Sequence, residues 1–333
     1  MLLITGANGL VGAAVAKMAI AQGIKVRAIK RENSDLSLLG ATQHQIEWLV
    51  GDVLDVSGLQ EAMQGVSHVV HTAAIVSFAP KDRQQMNKTN IEGTANVVNA
   101  CLEAKVTKLC FLSSVAALGR PDPKTIDASQ QIDINENHKW TNSPLNSEYA
   151  KTKYKAELEV WRGIAEGLPA VMVCPSIILG EGDWDKSSSQ LFKFAYDQKP
   201  FYPQGDINYV DVEDVAKAIL SLTYNDITEQ RYILNAGKVS YQTFLTKVAL
   251  SFNKRPPRYV VGPLMAAILW RLEAIRTFFT GGSPLLTKET AHSSAYHFYY
   301  PNNKIKQDLG FEFIDLDTTI QRCSGYFTRK SGI

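Results

Sequence analysis

The sequence predicts an α/β fold: a doubly wound parallel sheet with a smaller, mostly helical carboxyl-terminal lobe. Three observations predict it. Short apolar runs alternate with helical patterns through the first half of the chain, a glycine-rich turn follows the first run, and the alternation breaks after Pro175. Strands and helices alternating at this spacing form right-handed βαβ units, whose parallel sheet is covered on both faces.

Taken in order, the expected strands cover 2–4, 25–29, 46–50, 68–71, 108–112 and 170–174. Between them, helical periodicity covers 11–22, 59–64, 91–104 and 148–166. Gly23, Gly65 and Gly167 each follow a helix, where a left-handed cap is wanted. Beyond Pro175, Gly180-Glu181-Gly182-Asp183 opens a loop-rich stretch, and 200–205 reads as irregular. A helix over 211–224 and a strand over 231–235 follow, and the remainder is mostly helical, broken at Pro256-Pro257 and Gly281-Gly282. The expected division is a first domain over 1–178 with 206–235 returning to it. The second lobe, 179–205 and 236–333, would lie over the carboxyl ends of the strands, where open α/β sheets bind ligands.

With 333 residues, 45% of them hydrophobic, the chain can bury a full core without disulfides or a structural metal. Lys+Arg 35 against Asp+Glu 33 leaves +2 and no basic block, which argues against a nucleic-acid surface. Cys101, Cys110, Cys174 and Cys323 are widely spaced and form no C-x-x-C pair, the pattern of reduced thiols in a cytoplasmic protein. Met1-Leu2-Leu3-Ile4 runs at once into Thr5-Gly6, so no signal peptide is expected. The apolar stretch 264–279 is interrupted by Arg271, Glu273 and Arg276 and is shorter than the ~18 uncharged residues of a membrane span. It is read as an amphipathic lid, a dimer face or a surface helix, and membrane contact is not expected.

Thr5-Gly6-Ala7-Asn8-Gly9-Leu10-Val11-Gly12 joins the first strand to the first helix. Gly6 permits a tight turn, Gly9 lets a diphosphate approach the backbone, and Gly12 lets helix pack on sheet. The free N–H groups and positive dipole end of the helix then face an anion. Such a turn directly after the first strand of a βαβ unit is a dinucleotide signal, although an ordinary glycine-rich turn has the same composition.

A second signal is Tyr149-Ala150-Lys151-Thr152-Lys153, whose Tyr149 and Lys153 share one helix face four residues apart. Tyr300-Pro301-Asn302-Asn303-Lys304 has the same spacing, but Pro301 and the paired asparagines make a poor helix interior.

The G-x-x-G-x-x-G spacing, together with segments in matching order from Thr5 to about Phe311, resembles the extended short-chain dehydrogenase/reductase family. The resemblance implies a Rossmann sheet that binds a nicotinamide dinucleotide. Asp52-Val53 resembles the family's adenine-contacting pair, though a turn aspartate would read the same. Thr72-Ala73-Ala74 follows His71, and small residues there let a cofactor lie against the backbone; His71 itself reads equally as a satisfied core histidine. Asn90 also matches, and a helix-capping role explains it equally well.

NAD-specific relatives carry an acid where this chain has Lys30, followed by Arg31. A guanidinium can grip a 2′-phosphate with two N–H bonds, so NADP is expected over NAD. Glu32 partly offsets that charge, and a solvated basic strand end is the plainer alternative.

Within Ser113-Ser114-Val115-Ala116-Ala117-Leu118-Gly119, Ser114 matches the family's catalytic serine. The resemblance implies that Ser114 orients a carbonyl, Tyr149 is the general acid, and Lys153, with the oxidised nicotinamide, lowers the tyrosine pKa from near ~10. Pro175 and Ile177, within Cys174-Pro175-Ser176-Ile177-Ile178-Leu179-Gly180, resemble the nicotinamide-lining segment of dihydroflavonol reductase and 3β-hydroxysteroid dehydrogenase types. Tyr209 to Ala216 matches a segment of structural meaning, while Gly282-Ser283-Pro284, Thr287 and Lys304 to Phe311 fit the same branch less specifically.

Val115-Ala116-Ala117 replaces the acid pair of the family's dehydratases. The expected reaction is therefore reduction of a small-molecule ketone or aldehyde. A sugar-nucleotide epimerase using NAD and a non-catalytic NADP-binding sensor remain open. Phe78, Trp184, Phe201 and Tyr202 fall in segments expected to overhang the cleft and suggest an aromatic or alicyclic substrate; each also fits lobe core. The resemblance further suggests a homodimer through the 91–104 and 149–166 helices.

Overall fold

The protein is described by a computed structural model covering residues 1–184, 188–262 and 296–331. The 264–279 stretch, Gly281-Gly282, Ser283, Pro284 and Thr287 lie outside the described residues.

The first half alternates as its apolar runs require: β1 (Leu2–Thr5), α1 (Leu10–Ala21), β2 (Val26–Lys30), β3 (Glu47–Val50), α2 (Val56–Ala62), β4 (His68–His71), α3 (Arg83–Asn87), α4 (Gly93–Glu103) and β5 (Lys108–Leu112). Then come β6 (Gln131–Asp133), α5 (Glu148–Ala165), β7 (Ala170–Pro175), β8 (Ile177–Leu179), α6 (Ser189–Tyr196), β9 (Phe201–Pro203), β10 (Asp206–Asp211), α7 (Val212–Thr223) and β11 (Gln230–Leu234). The chain continues through β12 (Gly237–Ser240), α8 (Tyr241–Ser251), β13 (Tyr259–Val261), β14 (His297–Tyr299) and the helices Asn303–Leu309 and Leu316–Ser331.

Seven strands form one sheet in the order β3-β2-β1-β4-β5-β7-β11, and every neighbouring pair is parallel. Strand alternation splits its side chains between two cores. Leu2, Ile4, Cys110 and Val173 join α1 and α7 residues such as Val15 and Ile219 on one face. Leu3, Leu109, Phe111 and Met172 join Leu59, Val97 and Val160 on the other. A fully buried leucine such as Leu109 contributes roughly 1.5–3 kcal/mol. The chain order turns back between β1 and β4, which opens a crevice at their carboxyl ends. The glycine turn sits there.

Several elements differ from expectation. The helix expected from 91 starts earlier, as α3, and passes through a π-helical turn at Lys88–Glu92 into α4; its polar first turns carry no apolar periodicity. Residues expected to be irregular contain β9, which pairs with β13. Of the segment expected to return to the first domain, β11 joins the large sheet, but β10 pairs with β8 and β12 in a separate three-stranded sheet. The carboxyl-terminal portion has its own apolar cluster, including Leu179, Phe192, Ile207, Phe244, Ile320 and Phe327. All four cysteines are buried and unpaired. None of the described helices is long and apolar enough to cross a membrane.

Candidate active site

The glycine turn is folded against itself and against the segment after β4. Gly6 has φ +76°, and a β-carbon there would lie 2.7 Å from the Ala73 backbone nitrogen. A β-carbon on Gly12 would fall on the Gly6 carbonyl, so Gly12 is required by the turn itself rather than by packing of helix on sheet. Gly9 is the N-cap of α1 and supplies no side-chain cap. The first helical bond runs from Ala13 N to Gly9 O at 2.9 Å, leaving the N–H groups of Leu10, Val11 and Gly12 at the helix end, available to an anion. Asn8 is half-buried in the turn.

Thr5 fixes this turn through a buried relay. Its hydroxyl is 2.6 Å from His71 Nδ1, while His71 Nε2 is 3.0 Å from Thr94 Oγ1. Thr94 donates its own proton to the Asn90 carbonyl at 2.6 Å, so its oxygen accepts from Nε2–H and Nδ1 accepts from Thr5. The imidazole is therefore neutral, and burial followed by the Lys153 charge holds its pKa down to about 3. Thr72 lies beside it, donating N–H and O–H to the Thr5 carbonyl at 3.1 and 2.7 Å, with Ala73 and Ala74 next toward solvent. His71 is the satisfied core histidine of the two readings.

Lys30 ends β2, half-buried, and Arg31 is exposed beside it. Asp52 accepts from Leu54 N at 3.0 Å, a turn aspartate by geometry, and Val53 is buried against the position of Gly93. Pro175 ends β7 and Ile177 opens β8, on the side where β11 closes the sheet.

The helix α5 begins cleanly because Ser147 accepts from Ala150 N at 3.1 Å and Glu148 fills its first turn. Its first turns carry Tyr149 and Lys153, while Tyr300 lies outside the helix Asn303–Leu309. Ser114 lies beside Tyr149, close enough for its hydroxyl to act on the phenol. Ser114 Oγ also accepts from Ala116 N at 3.2 Å, which fixes its rotamer. The structure thus brings Ser114, Tyr149 and Lys153 onto the same end of α5 and β5.

Burial pushes the Tyr149 phenol up to about 12, and the neighbouring Ser114 hydroxyl opposes that rise. The Lys153 ammonium is directed at the Leu112 carbonyl, 2.7 Å away, and lies 4.3 Å from the Phe111 ring centre. Burial holds it down to about 8, with the Glu157 carboxylate the main opposing influence.

Two residues with positioning contacts were not read from the sequence in that role. Asn90 does not cap a helix. Its amide accepts from Ile75 N at 2.7 Å and donates to Ile75 O at 2.9 Å and Thr152 Oγ1 at 3.0 Å, tying the segment after β4 to α5. Glu157 is 1% exposed and accepts from Ser113 Oγ at 2.5 Å and from Arg231 at 3.0 Å. Its spacing was the available signal, since Tyr149, Lys153 and Glu157 follow one another at four-residue steps.

The four aromatic residues separate. Phe78 meets Tyr149 edge-on with ring centres 6.1 Å apart. Trp184 packs on Tyr196, Phe252 and Phe327 as part of the lobe core. Tyr202 pairs with Val260 in the β9–β13 sheet, where Phe201 contacts Tyr259. Neither Trp184 nor Tyr202 is brought to Tyr149, because the apolar cluster of the lobe takes them up.

Residues 2–237 match the model of the NAD dependent epimerase/dehydratase family. The chain is 31% identical over 322 residues to the Synechocystis sp. protein named "Putative dihydroflavonol 4-reductase", covering 92% of this chain and 88% of that one. It is 29% identical over 288 residues to Sterol demethylase protein B of Methylococcus capsulatus, covering 85% and 84%. Among solved structures, gox2253 superposes with a TM-score of 0.82 at 28% identity, covering 100% of this chain and 98% of that one.

Proposed function

The chain belongs to the NAD dependent epimerase/dehydratase family, and from that premise we propose that it is an NADP-dependent reductase of ketones or aldehydes. The observation that carries this reading is the convergence of Ser114, Tyr149 and a buried Lys153 on the sheet edge that also holds an uncapped α1. The residues fit a dinucleotide. Thr5, Gly6, Asn8, Gly9, Leu10, Val11 and Gly12 would take the diphosphate, Asp52 and Val53 the adenine, and Thr72, Ala73, Ala74, Pro175 and Ile177 the nicotinamide side. Lys30 and Arg31 would take the 2′-phosphate, which favours NADP.

When bound, the nicotinamide supplies the hydride that reaches the carbonyl carbon. Ser114 donates a hydrogen bond to the carbonyl oxygen and orients it where negative charge develops. Tyr149 gives its proton to that oxygen. A phenol near 12 holds its proton too firmly at neutral pH, so the step needs positive charge nearby to stabilise the phenolate it leaves. Lys153, one turn away on the same face, provides part of that charge. Phe78, in edge contact with Tyr149, would border the substrate and favour an apolar ring. A homodimer through α4 and α5 and a cytoplasmic location complete the proposal.

The test is a panel of aromatic and alicyclic carbonyl compounds followed by loss of NADPH absorbance. Turnover of at least one of them is expected. Inertness toward all of them, combined with copurified NAD and conversion of a sugar nucleotide, would replace this reading with epimerisation.

A further inference from the structure

We propose that Glu157, clamped by Arg231, is a positioning residue that keeps Lys153 charged and holds Ser113 and Ser114 in register with Tyr149. The proposal rests on the reductase reading of the site and adds a group that does not touch substrate.

The helix α5 grips three consecutive residues at the end of β5. Tyr149 lies beside Ser114, Lys153 donates to the Leu112 carbonyl, and Glu157 accepts from Ser113. These contacts come from side chains spaced by four along one helix face. Moving Glu157 therefore disturbs the strand end between the other two contacts.

A carboxylate that is 1% exposed is costly unless it is paired. Glu157 is paired on both oxygens. One accepts from Ser113 at 2.5 Å and from Cys174 at 3.4 Å; the other accepts from Arg231 at 3.0 Å. Arg231 is fixed in turn, donating to the Glu136 carbonyl at 2.8 Å and the His138 carbonyl at 3.0 Å. The carboxylate is thus held still by partners on both oxygens.

Lys153 is buried as well, 2% exposed. The titratable groups around it are Tyr149 and Glu157 on α5, His71 on β4, Cys174 on β7 and, beyond Glu157, Arg231 on β11. His71 is neutral, and burial holds the Cys174 thiol protonated. Glu157 is then the anion that offsets the desolvation of the ammonium. Replacing it by an amide keeps the shape and removes the charge, so Lys153 would lose its proton at lower pH.

The experiment follows Lys153 directly, in protein labelled with [13Cε]lysine. Its resonance is identified by its absence from Lys153→Arg, and its titration midpoint is measured without substrate or cofactor. Glu157→Gln is expected to lower the midpoint by about one unit, a tenfold change in the ionisation constant, while Glu157→Asp keeps it near the wild-type value. Should Glu157→Gln fail to fold, Glu157→Gln/Arg231→Met removes both partners of the salt bridge and is expected to lower the midpoint in the same direction by less, because a cation leaves with the anion. With an active substrate, the alkaline limb of kcat should move down by the same interval, with KM little changed. An unmoved midpoint in the folded amide variant would overturn the proposal. Because the midpoint is read without turnover, a chain that reduces no carbonyl compound would defeat the reductase reading and leave this measurement intact.

Discussion

The helices α1 and α5 both begin at the carboxyl edge of the large sheet, and their first turns are built in opposite ways. The helix α5 is closed by its own side chains, with Ser147 capping it and Glu148 set against its positive end. By contrast, α1 has glycine at the cap, no side-chain cap and no acid in its first turn. A closed helix end is a fixed platform, suited to side chains that must not move. An open one leaves N–H groups and partial positive charge for a ligand to satisfy. One sheet edge therefore carries a binding element and a chemical element whose sequences differ for a physical reason.

The supports beneath the two ends differ as well, and pH is the strongest way to separate them. The α1 turn hangs on a neutral His71, whereas α5 is braced by the Glu157–Arg231 salt bridge. His71 stays unprotonated in the fold down to about 3 but takes a proton near ~6.5 when unfolded. Below that value the unfolded state binds more protons, so stability present above pH ~6.5 is lost as pH falls toward 3. Asp214, pushed up to about 6 by burial, adds a slope of opposite sign over part of that range. Urea unfolding between pH 7 and 5 should therefore show a steeper acid loss for wild type than for His71→Asn, several kcal/mol when extrapolated to full protonation. Equal slopes would mean that the relay through Thr5 does not hold the imidazole neutral.

Closing the open helix comes next in size. Gly9 has φ −83°, and a β-carbon there would sit 3.3 Å from the Gly6 carbonyl, so Gly9→Asp fits with a small adjustment. It should cap α1, leave the melting temperature unchanged or higher, and weaken NADPH binding about tenfold or more by fluorescence titration. Unaltered affinity would show that the diphosphate does not sit there.

Arg31→Ala sharpens the binding side. NADPH is expected to bind about tenfold more tightly than NADH, and the variant should lose most of that preference. Equal dissociation constants in the wild type would remove the case for NADP. The smallest effect belongs to the closed helix. Ser147→Ala should cost about 1 kcal/mol and lower the melting temperature by a few degrees, with cofactor affinity unchanged.

Local chemistry explains which parts were legible in the sequence. The strands β4 and β5 fall on the expected residues because apolar runs with polar ends mark them without help from the rest of the chain. Tyr149 was separable from Tyr300 because Pro301 and Asn302 keep the latter out of a helix. The short strands were not legible. β14 exists through pairing with β6 across more than a hundred residues of sequence, and nothing within three residues announces that. Trp184 reads as a substrate contact or as core from its composition alone, and only the packing of Phe252 and Phe327 decides. Glu157 lies in a charge-rich helix that resembles a solvated face, and its partner Arg231 is 74 residues away.

The comparison comes to a single test in Tyr149→Phe, which removes one hydroxyl from the closed helix and nothing from the open one. NADPH titration and carbonyl turnover should be measured on the same preparation. A loss of turnover of at least ~100-fold is expected, with cofactor affinity nearly unchanged. Turnover retained within a few-fold of wild type would contradict the role of Tyr149 as general acid.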